Sequence, residues 1–246
     1  MRLSRYTVPV PQAPALAGLK IAVISDLHGG APFIDTAKID SVVAMTNAAR
    51  PDLILLAGDY AGHVWGSHPL PVETIAQHLK PLSAPLGVYA VLGNHDHIVE
   101  GALRVRRALE QNGIVVLAND HVPLRTPKGA LTLVGIDDAD SFHADPAQAV
   151  AGLPENKPVL CLTHSPDIFP YIPAICALTV AGHTHGGQVL LPLVGRLIVP
   201  SAYGQRYAIG TIREQGRVFF VSSGIGTSVI AVRFGVPPEI SFLTLQ

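Results

Sequence analysis

Five short apolar runs, each ending in a polar or glycine-rich cluster, constrain the fold of this 246-residue chain more than any other feature. The runs are rich in β-branched residues, which is typical of buried strands. They cover residues 19–24, 53–57, 88–92, 159–162 and 178–181. Segments 36–49, 72–79 and 99–111 between them have the character of helices. This repeated order of strand and helix predicts an α/β fold with a largely parallel central sheet.

The pattern changes towards the C-terminus. Segments 206–212 and 217–222 flank Arg213-Glu214-Gln215-Gly216, which predicts a hairpin, and residues 240–245 form a last candidate strand. Near the N-terminus, prolines at positions 9, 11 and 14 prevent a helix. Because no linker or internal repeat interrupts the chain, we expect an extended N-terminal arm over residues 1–18 and a single domain over residues 19–246.

The composition excludes some functional classes. A net charge of −1 without a basic run gives no footprint for nucleic acid. Residues 168–195 carry no Asp, Glu, Lys or Arg, but their prolines and glycines rule out a lipid-exposed helix. With 48% hydrophobic residues, the chain leaves peripheral membrane contact open, and its oligomeric state is unknown. No apolar signal segment follows Met1, and Cys161 and Cys176 are expected to be buried free thiols. We therefore expect a cytoplasmic protein, with peripheral contact at the inner membrane face as the alternative.

All five polar clusters lie at the C-terminal end of a predicted strand, the edge where open α/β sheets bind ligands. They bring together seven candidate metal ligands: Asp26, His28, Asp59, Asn94, His164, His183 and His185. A set of carboxylate, amide and imidazole groups without thiolate suits Mn²⁺, Fe²⁺ or Zn²⁺. Seven side chains are too many for one tetrahedral ion, but a bridging Asp59 would make two sites. Two neighbouring divalent ions are the arrangement used for displacement at phosphorus.

His95 follows Asn94 directly, and adjacent side chains on an extended segment diverge, so we do not expect it to be a ligand. It is instead the candidate catalytic residue, placed to contact the phosphate and to give a proton to the leaving group. A histidine pKa near 6.5 suits that role.

In order and spacing, these motifs resemble the five signature blocks of the calcineurin-like metallophosphoesterases. The blocks are Asp26-Leu27-His28, Gly58-Asp59, Gly93-Asn94-His95-Asp96, His164 and Gly182-His183-Thr184-His185. Residues 186–188, 224–228 and 232–240 are similar to the bacterial YkuE/YaeI-like branch.

The resemblance implies a four-layer α/β/β/α sandwich with mixed central sheets. It also implies a hydrolase in which a hydroxide between two metals attacks phosphorus, with His95 as proton donor. One ion would be held by Asp26, His28, Asp59 and His185. The other would be held by Asp59, Asn94, His164 and His183.

The substrate stays open, as a small phosphoester or a nucleotide–lipid pyrophosphate such as UDP-2,3-diacylglucosamine. Protein phosphatases of this superfamily carry Asp and Arg shortly after the bridging Asp, where this chain has Tyr60-Ala61-Gly62-His63. The difference argues against protein phosphatase activity and leaves the orienting partner of His95 unidentified. The alternative of another class is a non-catalytic metal-binding scaffold.

Several other residues are weaker candidates. Arg206 and Arg233, and with them Arg196, are possible substrate contacts, each with a structural hydrogen-bonding role as the alternative. The acidic cluster of Asp137, Asp138 and Asp140 is expected to be a solvated loop, with a role at the rim of the site as the alternative. His97 is a candidate for the surroundings of the metals, whereas surface or loop roles are expected for the rest: His63, His68, His78, His121 and His143.

Overall fold

The computed structural model of the protein describes residues 1–62, 64–127, 129–154 and 158–246. Its two large sheets contain twelve strands: β1 (Arg2–Val8), β2 (Lys20–Ile24), β3 (Leu53–Ala57), β4 (Val88–Val91), β5 (Val115–Val116), β6 (Asp120–Thr126), β7 (Gly129–Gly135), β8 (Val159–Leu162), β9 (Cys176–Ala181), β10 (Gly210–Glu214), β11 (Arg217–Val221) and β12 (Glu239–Leu245). The α-helices are α1 (Thr36–Ala48), α2 (Val72–Leu79), α3 (Ala102–Gln111) and the short α4 (Pro146–Ala149).

The two sheets are mixed. The first has the order β1-β12-β2-β3-β4-β5, and the second has the order β10-β11-β9-β8-β7-β6. Antiparallel pairs form between β12 and β2, between β10 and β11, and between β6 and β7, whereas the remaining pairs in both sheets are parallel. The strand pairs are largely parallel, as expected, but the strands form two sheets rather than one. The alternation of strand and helix describes only the first half of the chain, and the second sheet brings hairpins at both of its edges.

Side-chain alternation along the strands separates the layers. On β2, Ile21 and Val23 pack into the core between the two sheets, whereas Ala22 and Ile24 face the core beneath α1, α2 and α3. A third core on the outer face of the second sheet joins Phe219 to Phe169 and Tyr207 in short 3₁₀ turns. Helices, two sheets and helical turns thus form the α/β/β/α sandwich, and that prediction is confirmed.

The N-terminal segment is extended, and residues Arg2–Val8 form the edge strand β1, which pairs in parallel with β12. The main polar contact of β1 is Glu239 on β12, whose side chain is 1% exposed. Tyr6 Oη donates to this carboxylate at 2.9 Å, and Ser241 Oγ donates to it at 2.8 Å. These bonds satisfy a buried charge and attach β1 to the sheet.

Two predicted elements need correction. The helix expected over residues 99–111 begins only at Ala102, because a wide turn (Asp96–Glu100) ends at Gly101 with φ +83°. The strand expected over residues 206–212 begins at Gly210, because Gly204–Tyr207 forms a 3₁₀ turn. The predicted hairpin is present, with a two-residue turn in which Gln215 and Gly216 both have positive φ, as type I′ turns require.

The expectation of free thiols is also wrong, because Cys161 and Cys176 form a disulfide. They lie on the adjacent parallel strands β8 and β9 with their Cα atoms 5.9 Å apart, which is within bridging distance. Free thiols therefore no longer support the expectation of a cytoplasmic location. Residues 168–195, which carry no Asp, Glu, Lys or Arg, form strand β9 and loops rather than one long helix. No helix in the described part of the chain is long and apolar enough to cross a membrane.

Candidate metal centre

The seven candidate ligands lie in loops that leave the C-terminal ends of strands in both sheets. Four follow β2, β3 and β4 in the first sheet, and three follow β8 and β9 in the second. Backbone bonds join the loops within each sheet. Asp26 N–H donates to Gly58 at 3.0 Å, and Gly182 N–H donates to the His164 carbonyl at 2.9 Å. The backbone N–H of His183 crosses from the second sheet to Asp26 Oδ1 at 3.0 Å.

The local backbone turns these side chains towards one another. Five of the seven ligands have left-handed φ angles: Asp26 at 54°, His28 at 45°, Asp59 at 56°, His183 at 69° and His185 at 51°. Such conformations cost non-glycine residues on the order of 1–3 kcal/mol and concentrate at functional sites. The ligand side chains therefore converge because the loops just beyond the strands adopt strained backbone conformations.

One group of ligands surrounds His28. Its Nε2 lies 3.2 Å from His185 Nε2 and 3.5 Å from Asp59 Oδ2, and His185 Nε2 lies 3.7 Å from Asp26 Oδ1. Burial lowers the pKa of His28 to about 3 and lowers that of His185 well below its usual value. Two neutral imidazole nitrogens that face each other can share at most one proton, whereas a metal ion satisfies both lone pairs. This group has the chemistry of a cation site.

The other group surrounds His164, whose protonated nitrogen can be identified. Nδ1 lies 2.7 Å from the Ala57 carbonyl, which can only accept, so Nδ1 carries the hydrogen. The opposite nitrogen, Nε2, lies 3.2 Å from Asn94 Oδ1 and 3.3 Å from Asp59 Oδ2. Burial opposes protonation there, but the charge of Asp59 outweighs it and raises the pKa of His164 well above its usual value. The Asp59 carboxylate and the Asn94 amide oxygen thus favour positive charge at this position, and a divalent ion would supply it in place of a proton on Nε2.

His183 completes the second group. Its Nδ1 lies 3.1 Å from both Asn94 Oδ1 and His164 Nε2. On the far side of the ring, Nε2 lies 3.1 Å from Asp140 Oδ2, which accepts the ring proton. This carboxylate therefore fixes the tautomer that leaves Nδ1 free to bind a metal, an arrangement common behind metal-ligating histidines.

Asp59 lies between the two groups. Its Oδ2 faces both His28 and His164, and its Oδ1 accepts the backbone N–H of His95 at 2.9 Å. Burial raises the pKa of this carboxyl, but His164 and His28 hold it well below its usual range. Gly93 makes the approach possible, because a Cβ there would lie 2.2 Å from Asp59 Oδ1.

Asp96 is a functional residue to which the sequence reasoning gave no role. Its fully buried carboxylate accepts the backbone N–H groups of Asp59 at 2.8 Å, Tyr60 at 3.0 Å, Ala61 at 3.2 Å and Gly93 at 2.9 Å. It therefore joins the loop after β3 to the loop after β4 and fixes both Asp59 and Asn94. Its position within the third motif was the available signal, but the sequence does not show whether this carboxylate points into the protein or towards solvent.

His95 lies against the first group, because a ring nitrogen of His95, a ring nitrogen of His28 and a carboxylate oxygen of Asp59 lie within 4.8 Å of one another. Its ring meets the edge of the His28 ring at a centroid distance of 4.8 Å, and it is partly exposed. Its Nε2 lies 3.5 Å from Ser228 Oγ, in the loop between β11 and β12. Where protein phosphatases orient this histidine with a carboxylate, the described residues here offer a serine hydroxyl.

The three arginines make structural contacts. Arg233 donates to the carbonyls of Gly226 and Ser223 at 2.8 Å, and its Nη2 lies 3.4 Å from His185 Nδ1, so its guanidinium packs against the outer side of that ring. Arg196 donates to the Gly186 carbonyl at 2.9 Å. Arg206 pairs with Glu214 and lies over the rings of Tyr203 and Tyr207, and the structure does not bring it to the metal centre.

The expectation of a solvated acidic loop holds for Asp140, which is exposed, but is wrong for the other two carboxylates. Asp137 and Asp138 are 8% and 0% exposed, because the loop after β7 folds against the site. Asp137 Oδ1 lies 2.9 Å from His97 Nε2, and the His97 ring stacks on His143 at 4.4 Å. His97 thus belongs to the surroundings of the centre.

The remaining histidines lie elsewhere. His78 pairs with Asp40 on the surface, His121 lies 3.0 Å from the Ala149 carbonyl, and His68 is exposed. His63 falls outside the described residues.

Comparison with known proteins agrees with this geometry. Residues 19–196 match the calcineurin-like phosphoesterase family. Phosphodiesterase YaeI of Escherichia coli is 33% identical over 232 residues, covering 93% of this chain and 83% of that protein. The uncharacterized metallophosphoesterases YkoQ and YkuE of Bacillus subtilis are 31% and 28% identical, each over 93% of this chain and over 84% and 79% of their own lengths.

The chain therefore belongs to the calcineurin-like phosphoesterases, and it is similar to the YkoQ, YkuE and YaeI proteins. It is a metal-dependent phosphoester hydrolase.

Proposed function

We propose that the protein is a dinuclear metal-dependent phosphodiesterase, with Asp59 bridging the two ions and His95 as general acid. The observation that carries this proposal is the position of Asp59 Oδ2, 3.5 Å from His28 Nε2 and 3.3 Å from His164 Nε2. One carboxylate oxygen therefore faces two separate sets of nitrogen and oxygen ligands. Phosphodiesters are the first substrate class to test, because YaeI carries that name.

The donor set suits Mn²⁺, Fe²⁺ or Zn²⁺. Bound there, two such ions would stabilise charge on the phosphoryl oxygens and lower the pKa of a bound water. The protein residues supply the rest. Asp140 and the Ala57 carbonyl hold the tautomers of His183 and His164, and Asp96 holds the loops of Asp59 and Asn94. His95, whose ring lies against that of His28, is placed to donate a proton to the leaving oxygen.

The test is hydrolysis of bis(p-nitrophenyl) phosphate by the purified protein with Mn²⁺, together with metal content by elemental analysis. We expect two ions per chain and turnover. Asp59→Asn should lose metal and activity together, because both groups share this carboxylate. His95→Ala should keep its metal and lose about 10²- to 10⁴-fold in turnover, the usual contribution of a general acid.

Leu103→Asn, an exposed change on α3, is the control and should behave as the wild type. One ion per chain would overturn the dinuclear assignment. An undiminished rate in His95→Ala would overturn the role of that histidine. A panel of phosphoesters and metals without any hydrolysis would favour the scaffold alternative.

A further inference from the structure

An apolar cavity of about 460 Å³ opens directly beside the metal centre. That volume lies within the range of small-molecule sites in proteins. Its walls come from the connection between β9 and β10 and from the loop after β11, and the apolar ones are Val189, Leu197, Ile198, Pro200, Val229 and Ile230. At its inner end the cavity is lined by His185 and Ser228. His185 belongs to the first ligand group, and Ser228 Oγ is the 3.5 Å neighbour of His95.

The apolar side chains of the cavity are exposed, contrary to their usual preference. Leu197 is 56% exposed, Ile198 is 75% exposed and Val229 is 69% exposed. Val229 also has φ +63°, a conformation that is strained for a β-branched residue. The exposure of this apolar side chain and its positive φ both destabilise the unliganded protein. A ligand that covers Val229 would remove the part that comes from exposure.

The chemistry of the cavity defines its occupant. The residues that line it include no Asp, Glu, Lys or Arg among those described. The neighbouring guanidinium of Arg196 is bonded to the Gly186 carbonyl, and that of Arg233 is bonded to the Ser223 and Gly226 carbonyls. A second phosphate or a charged sugar would therefore lose its hydration there without gaining a partner. An alkyl or acyl chain would gain from burial along these aliphatic walls.

We propose that this cavity binds an alkyl or acyl group of the phosphoester substrate while its phosphorus lies over the metal centre. The inference deepens the proposed function and depends on it for the position of the phosphorus. Because His185 both lines the cavity and belongs to the centre, an ester substituent reaches the cavity without crossing another element. The protein is thus a hydrolase of amphiphilic phosphoesters, whether they arrive as dispersed molecules or from a lipid surface.

The kinetic test is a series of p-nitrophenyl alkyl phosphates from methyl to octyl, each used below its aggregation concentration. For the wild type, kcat/KM should rise about threefold for each methylene added until the cavity is full. Leu197→Asn should flatten this dependence and leave the rate on the methyl ester unchanged. The matched control is Leu103→Asn, because Leu103 is a leucine of similar exposure, 60%, on a helix away from the cavity.

A second variant guards against misfolding. Val229→Asn removes an apolar wall and places at φ +63° a residue type that tolerates this conformation, so the protein should fold at least as stably. It should also flatten the chain-length dependence. A dependence that is absent in the wild type, or unchanged in both variants, would overturn the proposal while leaving phosphodiesterase activity intact.

Direct binding separates this proposal from the proposed function. Calorimetry with decyl phosphate and methyl phosphate should give at least tenfold tighter binding of the decyl ester to the wild type, but similar affinities in Val229→Asn. Equal affinities for the wild type would overturn the proposal even if no ester were hydrolysed. The same p-nitrophenyl octyl phosphate, offered in phosphatidylcholine vesicles, distinguishes the two sources. Faster turnover from vesicles indicates supply from a lipid surface, and slower turnover indicates a dispersed substrate.

Discussion

At the scale of single residues, the hydrogen-bond partner on the outer side of a histidine ring decides which ring nitrogen is left to bind a metal. His164 and His183 each give one ring proton to an oxygen behind them, the Ala57 carbonyl and the Asp140 carboxylate. The free nitrogen then faces the centre as a lone pair. Of these two supports, the one from Asp140 can be altered by mutation, because it is a side chain.

Asp140→Ala should weaken metal binding about 10- to 100-fold, the usual effect of losing such a support. The reason is that His183 Nε2 loses its acceptor at 3.1 Å, so the ring can rotate or exchange tautomers. Asp140→Asn keeps an acceptor oxygen and should recover most of the affinity. Metal titration with a competing chelator measures this effect without relying on turnover.

The control for that prediction is Asp40→Ala, which breaks the surface pair between Asp40 and His78 at 2.7 Å. An exposed pair of this kind contributes little, so metal affinity should not change. Equal metal affinity of the wild type and Asp140→Ala would contradict the role assigned to Asp140.

At the scale of elements, the attachment of β1 to β12 depends on a buried carboxylate. Glu239 is held by Tyr6 from β1 and by Ser241 from its own strand. Burial, with the neighbouring charge of Glu239 as the next cause, raises the pKa of Tyr6 to about 12. The neutral phenol is therefore the form that the folded protein prefers.

Tyr6→Phe should lower the free energy of unfolding at pH 7 by roughly 1–2 kcal/mol, because a buried carboxylate loses a donor. The effect should depend on pH. The folded pKa of Tyr6 lies above the ordinary value of 10, so its contribution is complete below pH 10 and is lost as pH rises towards 12. Urea unfolding of both proteins at several pH values should show the difference disappearing over that interval. A constant difference would show that the phenol proton is not involved.

The best-predicted elements are those in which the pattern of apolar residues matches the side chains that are buried. Strand β3 and helix α2 have the predicted boundaries, because β3 is a continuous apolar run, α2 is an amphipathic one, and both have clear breaks at their ends. The predicted start of α3 is too early because the apolar residues on both sides of Gly101 suggest one continuous helix, whereas the positive φ of this glycine ends the preceding turn there. The pairing of β1 with β12 could not be predicted, since it joins the two ends of the chain.

The candidate ligands were identified from residue type and order alone, and the structure gathers all seven. Their supports were not identified. Asp96 and Asp140 act through loop conformations, and a carboxylate in a loop has the same sequence signature whether it is buried or solvated. The acidic loop was misjudged for that reason.

At the scale of the whole molecule, the centre joins the two sheets. Asp26, His28, Asp59 and Asn94 come from the first sheet, whereas His164, His183 and His185 come from the second. Ions bound between them would bind only the folded, docked arrangement, so their binding free energy adds to stability.

Removal of metal by a chelator should therefore lower the melting temperature. A free ion at about 100 times its dissociation constant contributes about 2.7 kcal/mol. For a protein of this size, that corresponds to roughly 5–10 °C. Scanning calorimetry before and after chelation measures the change. Asp59→Asn, which lacks the shared carboxylate, should melt at the same temperature in both conditions, and an equal shift in that variant would contradict the link.

The distance along the chain between the ligands also sets an order of events during synthesis. His28 and His185 are 157 residues apart, yet their ring nitrogens lie 3.2 Å from each other. A nascent chain still on the ribosome therefore carries only fragments of the ion site for most of its translation. The complete set of ligands therefore exists only after His185 has been synthesised and the second sheet has docked on the first, so an ion that needs both halves could bind only then.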